Sequence, residues 1–198
     1  MINLYNFMDG IDGLAAGEAI IVSIAGGLIM MRVEGSSLFY LLFILAGLVG
    51  GFLVWNWSPA KVFMGDVGSA FLGYIFAVFA FAGERSGSAP SMIWAVLLSV
   101  FVVDATLTLF KRIKERKNLA EAHRDHLYQK AVISGMSHRA VTAFVLLISI
   151  VASSVAFFFG NRLFLVFIIT YLVLAVAWVI GYQRLETSGY RPQGDKKF

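Results

Sequence analysis

Four polar side chains recur at every third position near the start of the chain, at Asn3, Asn6, Asp9 and Asp12. On a helix, three consecutive members of such a series share one face, because each step of three residues falls only about 60° short of a full turn. Their carboxylate and amide oxygens can hold Mg²⁺, or can read the edge of a nucleobase and its ribose. A helix cap also uses Asn or Asp, but a single such residue is enough for a cap. The series therefore favours a site for a polar ligand.

A second polar cluster lies in the segment 56–69, which reads NWSPAKVFMGDVGS. Asp66 stands between Gly65 and Gly68, and glycine allows a backbone to approach a ligand closely. An aspartate at such a place is also an ordinary helix cap. Phe63 is suited either to stacking on a base or to anchoring the chain at the membrane interface. For this segment alone, both interpretations of each residue stay open.

A third cluster, HRDHLYQ at residues 123–129, contains two histidines three positions apart. At this spacing His123 and His126 share a helical face, and with Arg124 they could clamp phosphate groups. Two histidines in a chain without cysteine make a poor zinc site. The basic run at 111–117 is typical of the cytoplasmic end of a membrane helix.

The composition is that of a membrane protein. Hydrophobic residues make up 59% of the chain and charged residues 14%, with a mean hydropathy of +0.80. Soluble domains usually carry about 25% charged residues. Cysteine is absent, which excludes a disulfide framework and thiolate metal sites.

Apolar windows predict the fold class, an all-α polytopic membrane protein with about six transmembrane helices and cytoplasmic catalytic loops. A spanning helix needs about 20 apolar residues, and only the third window is clearly short. We expect one membrane domain over residues 1–182 and a cytoplasmic tail over 183–198. The six windows are 14–31, 37–55, 69–83, 91–110, 140–159 and 163–182.

The distribution of basic residues predicts the orientation. Of the 16 Lys and Arg residues, all but three lie in the loops 56–68 and 111–139 or in the tail. Positively charged loops stay in the cytoplasm. Both termini and all three polar clusters are therefore predicted on the cytoplasmic face.

Two further acids, Glu18 and Asp104, lie inside predicted spans. Ionisable groups within a membrane are functional candidates by default, either for direct chemistry or for the ion path of a transporter. Asp104 could equally pair with a basic side chain such as Lys111, two turns further along the helix. Because the other acids concentrate in loops, whereas transporter sites lie near the bilayer midplane, a transporter is the less favoured alternative.

In order and spacing, NxxNFMDGIDGLA, NWSPAKVFMGDVGS and HRDHLYQ resemble the motifs of the polyprenyl-phosphate N-acetylhexosamine-1-phosphate transferases. This membrane family includes the phospho-MurNAc-pentapeptide translocase, and the resemblance extends to about residue 182. It implies transfer of a sugar 1-phosphate from a UDP-N-acetylhexosamine to undecaprenyl phosphate, with release of UMP. Such a reaction begins a lipid-linked surface polysaccharide or cell-wall glycan.

The resemblance implies roles for the residues of the first two motifs. Asp66 matches the Mg²⁺ ligand of the family, with Mn²⁺ as an alternative metal. Phe63 matches the aromatic residue that stacks on uracil, and Asp12 matches the acid that reads the uracil edge. Asn6 and Asp9 match pocket residues near the diphosphate and ribose.

Other motif residues complete the predicted site. Asn56 matches a pocket asparagine, and Asn3 and Arg124 are further predicted substrate-binding residues. His123 and His126 occupy the histidine motif on the sugar and diphosphate side of the pocket. The predicted catalytic residues are Asp9, Asp12, Asp66, His123 and His126.

The family has more spans than the six predicted here, and its amino-terminal half carries an Asp-Asp pair that is absent from this chain. The chain therefore resembles the carboxy-terminal part of a transferase, and we expect no turnover by the chain alone. The expected partners are a UDP-sugar, undecaprenyl phosphate and membrane lipid, without nucleic acid, and either a second copy of the chain or a missing amino-terminal half. The expected location is the bacterial inner membrane. A non-catalytic membrane partner is a further alternative.

Overall fold

The computed structural model describes residues 1–34, 36–118 and 123–187, without the side chain of Asn161. Helices dominate this part of the chain, and no strand occurs within it. The prediction of an all-α fold is therefore confirmed. The helices are α1 (Ile2–Phe7), α2 (Leu14–Met30), α3 (Leu38–Asn56), α4 (Gly65–Ser86), α5 (Ser91–Leu97), α6 (Ser99–Lys114), α7 (Leu127–Ile133), α8 (His138–Phe159) and α9 (Leu163–Thr187), with a 3₁₀ turn (Gly160–Arg162) before α9.

Helix α2 lies at the centre of the bundle. Of its 17 residues, 13 are buried, and it packs against α3, α4, α5 and α8. Its sequence, LAAGEAIIVSIAGGLIM, is apolar on nearly all sides, as expected for a helix that presents no polar face to water. The loop that carries Asp9 and Asp12 therefore leads directly into the middle of the structure.

Glycines on α2 bring its neighbours close. A Cβ atom on Gly17 would lie 2.4 Å from the Leu146 side chain of α8, and one on Gly26 would lie 2.9 Å from the Trp94 ring of α5. These distances are shorter than van der Waals contact, so a larger residue would push the helices apart. The close packing holds α8 beside the loop that precedes α2.

Among the described residues, four or five helices are candidate spans, against the predicted six. Four helices, α3, α4, α8 and α9, are long and apolar enough to cross a membrane, and α5 with α6 forms a fifth candidate that is bent by 78°. The remaining window is α2, which at 17 residues is shorter than these spans. The break in the 91–110 window falls at Leu98, where neither Pro nor Gly marks it in the sequence, so hydropathy gave no sign of it.

The outer helices present apolar surface on the outside of the bundle. Only 11% of the residues in the apolar windows of α3 and α9 are buried, and exposed side chains such as Leu48, Val54 and Leu172 are apolar. This surface suits the hydrocarbon core of a bilayer, where helices satisfy their own backbone groups. Helix α9 continues to Thr187, beyond the predicted end of the membrane domain at residue 182. Residues 188–198 of the predicted tail lie outside the described part of the chain.

Candidate functional site

The first motif forms a short helix followed by a tight loop. Helix α1 ends at Phe7, and the chain turns through Gly13, whose φ of +74° suits glycine. The Tyr5 hydroxyl donates to the Ala15 carbonyl at 2.7 Å, and Met8 is fully buried. These contacts fix residues 8–13, here called the acidic loop, against the start of α2.

The second motif is joined to the acidic loop by two polar side chains. The Asn56 Oδ1 atom accepts from the Gly13 backbone N–H at 3.1 Å, and its Nδ2 donates to the Val62 carbonyl at 2.9 Å. The Ala60 N–H donates to Asp12 Oδ2 at 3.2 Å. Asn56 and Asp12 therefore hold residues 57–64, here called the aromatic loop, beside the acidic loop.

The start of α4 is attached to α1. The Ser69 hydroxyl donates to Asn6 Oδ1 at 2.8 Å, and a Cβ atom on Gly73 would lie 2.9 Å from the Ile2 Cα atom. Glycine at this position allows the two helices to touch along their backbones. Asp66, one turn before Ser69, is consequently brought next to the acidic loop.

Asp9 and Asp66 form an acidic pair. Burial raises the pKa of the Asp9 carboxyl to about 7, and the negative charge of Asp66 adds to this rise. Asp9 is half-buried and Asp66 is exposed, and within the described ranges neither carboxylate has a hydrogen-bond or ion-pair partner. Two neighbouring carboxylates that repel each other are stabilised by a cation between them.

The acidic pair lacks a third acid or histidine. Among the described residues, no group of three or more His, Cys, Asp or Glu side chains is arranged to hold a metal ion. This donor set does not fit zinc, which takes three or four protein ligands. It fits Mg²⁺, which usually combines one or two carboxylates with water and substrate phosphates.

The third motif contacts the first one directly. The Tyr128 hydroxyl donates to the Phe7 carbonyl at 2.8 Å, and a Cβ atom on Gly10 would lie 2.3 Å from the same hydroxyl oxygen. The Phe7 ring centroid lies 6.0 Å from that of His126 and 6.4 Å from that of His123. All three sequence motifs therefore meet at the acidic loop.

Asp104 positions the histidine motif. Asp104 belongs to α6, outside the motif. Its carboxylate accepts from the Trp178 indole N–H and from the Leu127 backbone N–H, each at 2.9 Å. Thr108 donates to it at 3.1 Å, and His126 Nδ1 lies 3.8 Å away. Asp104 thus caps α7 and lies beside His126, whose Nδ1 atom receives no hydrogen bond of good geometry from the described residues. The alternative of a pair with Lys111 is wrong, because Lys111 pairs with Glu115 and Glu186.

A buried arginine holds the segment that precedes α7. Arg112 forms an ion pair with Asp125 and donates to the Asn118 carbonyl at 2.5 Å. Burial tends to raise the pKa of the Asp125 carboxyl, but the Arg112 contact outweighs it and the pKa is lowered. Burial and then the Arg112 charge lower the pKa of His123, which favours its neutral imidazole. Arg124 is exposed.

Three predicted site residues lie toward the outside of this cluster. Phe63 is 74% exposed on the aromatic loop, which leaves its ring free for a ligand or for lipid. Asn3 is exposed on α1 and Arg124 on the segment before α7. The more central predicted residues are Asn6, Asp9, Asp12, Asn56, Asp66, His123 and His126.

Sequence reasoning missed several residues that assemble the cluster. Tyr128 was part of the third motif, and its place directly after the histidines was the available signal. Ser69 belonged to the second motif. His138, whose Nδ1 lies 3.3 Å from Asp12 Oδ1, and Thr142, whose hydroxyl donates to the Asp12 carbonyl at 2.8 Å, lie at the start of α8 and matched no motif. No sequence signal connected them to the acidic loop.

Glu18 lies one turn inside α2 and is fully buried. Its carboxyl faces the Ser149 hydroxyl of α8, although no hydrogen bond of good geometry reaches either of its oxygens from the described residues. It is separate from the contacts that join the three motifs.

Comparison with known proteins tests the predicted resemblance. Residues 1–84 match the model of a family described as Glycosyl transferase family 4. The resemblance is confirmed by this match. The matched residues contain the acidic loop, the aromatic loop and the acidic pair, and hence the first two motifs of the cluster.

Curated relatives extend the comparison beyond residue 84. The "Probable undecaprenyl-phosphate N-acetylglucosaminyl 1-phosphate transferase" of Bacillus subtilis is 31% identical over 189 residues, which cover 90% of this chain and 52% of the relative. The "Decaprenyl-phosphate N-acetylglucosaminephosphotransferase" of Mycobacterium leprae is 32% identical over 185 residues, covering 83% and 46%. The chain thus spans about half the length of these family 4 relatives.

A second kind of family 4 relative matches a shorter stretch. The "Phospho-N-acetylmuramoyl-pentapeptide-transferase" of Moorella thermoacetica is 46% identical over 71 residues, which cover 36% of this chain and 22% of the relative. Both kinds of relative are named as transferases of a phosphorylated sugar.

Proposed function

We propose that this chain acts in the transfer of an N-acetylhexosamine 1-phosphate from a UDP-sugar to undecaprenyl phosphate. An oxygen of the lipid phosphate attacks the β-phosphorus of the UDP-sugar, the P–O bond to the UMP portion breaks, and UMP leaves. The product, an undecaprenyl diphosphate sugar, begins a surface polysaccharide or cell-wall glycan. The names of the Bacillus and Mycobacterium relatives support this reaction class.

The observation that carries the proposal is the meeting of three distant motifs at one acidic loop. The aromatic loop is tied to the acidic loop through Asp12 and Asn56, and the histidine motif is tied to it through Tyr128. Segments more than 100 residues apart thereby bring carboxylates, the half-buried His123 imidazole and an exposed aromatic ring to the surroundings of one loop. This combination suits a ligand with a base, a diphosphate and a sugar.

Asp66 and Asp9 would hold Mg²⁺ in the proposed site, with Mn²⁺ as the alternative. A bound metal would neutralise the charge of the diphosphate during transfer. Burial and then the charge of Asp66 raise the pKa of Asp9, so a cation between the two carboxylates would stabilise the ionised form of Asp9. The two acids therefore favour a diphosphate that arrives together with its cation.

The aromatic loop would hold the nucleobase. The exposed ring of Phe63 is available to stack on uracil, and stacking on an aromatic side chain is worth about 1–3 kcal/mol. Asp12 would accept from the uracil N–H through the lone pairs that Ala60 leaves free. Asn6 and Asn56, already fixed by hydrogen bonds, would line the ribose side, with Asn3 at the rim.

The histidine motif would face the sugar and diphosphate. A neutral His123 is able to donate one hydrogen bond and accept another, while exposed Arg124 supplies a positive charge for the phosphates. His126 is nearly fully buried beside Asp104, so little of its ring would be available to the ligand.

The proposed location is the cytoplasmic face of a bacterial inner membrane. The basic residues of loops 56–68 and 111–139 support this orientation through the positive-inside rule. We further propose that activity needs additional helices, from a second copy or from a separate amino-terminal half, because the matched relatives are about twice as long. A non-catalytic membrane partner that supplies half of such a site is the second candidate.

Nucleotide binding tests the proposal. Isothermal titration calorimetry of the purified chain with UDP, with and without MgCl₂, should show UDP binding whose affinity increases when the metal is present. Asp66→Asn should abolish the effect of the metal. Glu34→Gln changes an exposed acid in the connection between α2 and α3, and should leave the effect of the metal unchanged. UDP binding that is absent from the chain, both alone and beside an added amino-terminal half, would contradict the proposal.

A further inference from the structure

The acidic loop is held by α8 as well as by its sequence neighbours. His138, the first residue of α8, places its Nδ1 atom 3.3 Å from Asp12 Oδ1. One turn later, the Thr142 hydroxyl donates to the Asp12 backbone carbonyl at 2.8 Å. Residues four apart share a helix face, so one face of α8 contacts both ends of the same aspartate.

The start of α8 is itself fixed. The Ser137 hydroxyl caps the helix by accepting from the Ala140 N–H at 3.2 Å, and Thr142 is fully buried. His138 Nδ1 is buried 3.3 Å from Asp12 Oδ1, and no hydrogen bond of good geometry reaches this nitrogen from the described residues. The start of α8 therefore places the imidazole beside the carboxylate.

We propose that His138 is a positioning residue that orients the Asp12 carboxylate for recognition of a uracil base. This inference rests on the proposed function. With Nδ1 protonated, a small rotation of the imidazole would let it donate to Oδ1, while the Ala60 N–H donates to Oδ2. Donors on both oxygens prevent the carboxylate from rotating about its χ2 torsion, which otherwise has a broad energy minimum.

A fixed carboxylate distinguishes nucleobases by their hydrogen-bond pattern. Uracil presents an N3–H donor to an acceptor, whereas cytosine presents a bare N3 acceptor at the same place. A site built around a hydrogen bond to the correct base rejects an analogue that lacks the donor, because its buried acceptor is left unpaired. His138 would therefore contribute to the choice of nucleotide without touching it.

The test is a titration of the full chain with UDP and with CDP in the presence of MgCl₂. The variants are His138→Ala, His138→Asn, Asp12→Asn and, as a matched control, Arg139→Ala at the exposed neighbouring position. An Asn side chain keeps an N–H donor near the place of Nδ1. We expect His138→Ala to weaken UDP binding about tenfold and CDP binding little, so the preference for UDP falls. His138→Asn should recover most of this preference, and Arg139→Ala should match the wild type.

The outcomes separate the inference from the function on which it rests. A wild-type chain without a preference for UDP, or an Asp12→Asn variant with unchanged UDP binding, would contradict the assigned role of Asp12 and hence the proposed function. If wild type prefers UDP and Asp12→Asn loses that preference, but His138→Ala keeps it, the inference alone is overturned. Equal weakening of UDP and CDP binding by His138→Ala would also overturn it, since this pattern indicates a general structural defect. Should His138→Ala fail to fold, the UDP-to-CDP ratio of His138→Asn, compared with a donor-free His138→Leu, decides the question.

Discussion

Asp9 and Asp66 are the residues whose surroundings point most directly to chemistry. Their two carboxylates lie close enough for Asp66 to raise the pKa of Asp9, although they are 57 positions apart in the sequence. The spacing of the first motif predicted a polar site, and the resemblance assigned the metal to Asp66. Neither could predict that Asp9 faces Asp66, because this depends on how α1 packs against α4.

At Asp66 we predict a loss of metal-dependent activity. Asp66→Asn keeps the size of the side chain and removes its charge, so Mg²⁺ loses a carboxylate ligand and transfer should fall about a hundredfold or more. The exposed position of Asp66 means that the fold should survive. The measurement is the transfer rate over a range of MgCl₂ concentrations in a complex competent for turnover. A near-normal rate at saturating Mg²⁺ would exclude the ligand role.

At Phe63 we predict a loss of nucleotide affinity. Phe63→Leu keeps an apolar group at the membrane surface but removes the flat ring, so UDP binding should weaken about tenfold, while Phe63→Tyr should bind UDP nearly as well as the wild type. Val67→Ala, at another exposed apolar position, serves as the control. If Phe63→Leu binds UDP normally, the ring is an interfacial anchor, which was the alternative interpretation of the sequence.

At the scale of elements, α7 depends on a residue from another helix. Asp104 accepts from the backbone N–H of Leu127 and from Trp178 on α9, so it connects three helices around His126. The sequence marked Asp104 as a candidate functional residue because it is an ionisable side chain in an apolar segment. It could not show that the carboxylate serves as a cap, because its donors come from positions 23 and 74 residues away.

We predict that removal of this acceptor loosens α7 before it affects the rest of the bundle. Asp104→Leu leaves the Trp178 and Leu127 N–H groups without an acceptor, and each buried unsatisfied group costs about 1–3 kcal/mol. Hydrogen exchange of residues 127–133 should accelerate, whereas α2 should keep its protection. Asp104→Asn, which retains an acceptor oxygen, should have a smaller effect. Unchanged exchange in α7 of Asp104→Leu would contradict this role.

The contact between the acidic loop and α7 leads to a compensation experiment. A Cβ atom on Gly10 would overlap the Tyr128 hydroxyl, so Gly10→Ala should weaken UDP binding and lower the melting temperature. Tyr128→Phe removes the hydroxyl, and the double variant should regain part of the loss. Gly47→Ala is the control, because nothing lies within 4 Å of a Cβ atom there. Strictly additive losses would show that the two residues do not meet.

Hydropathy predicted most of the helices because a run of apolar residues is visible in the local sequence. Windows of apolar residues identified α3, α4, α8 and α9, and the predicted bounds agree to within a few residues. The window 14–31 likewise identified α2 (Leu14–Met30). The bend at Leu98 and the buried, central position of α2 were not predicted. Each depends on packing against neighbouring helices, and the sequence of a single segment does not encode it.

In the whole molecule, the three motifs are expected to face one compartment. The natural sequence contains no cysteine, so an introduced thiol reports its own position without background. Ser134→Cys, on the exposed turn after α7, should react with a membrane-impermeant maleimide only from the cytoplasmic side. Ser37→Cys, exposed before α3, should react only from the opposite side. Labelling of both from one side would contradict the topology.

The proposed reaction can be measured by the transfer of labelled sugar phosphate to the lipid. The chain would be expressed alone and together with the amino-terminal half of the Bacillus subtilis relative, and membranes would be incubated with radiolabelled UDP-GlcNAc, undecaprenyl phosphate and MgCl₂. We predict that label enters the lipid fraction, with equimolar release of UMP, in the co-expressed sample and not with the chain alone. This transfer should disappear on chelation of the metal and in Asp66→Asn. The claim would be contradicted if the co-expressed halves assembled and bound UDP without transferring label, or if transfer persisted in Asp66→Asn.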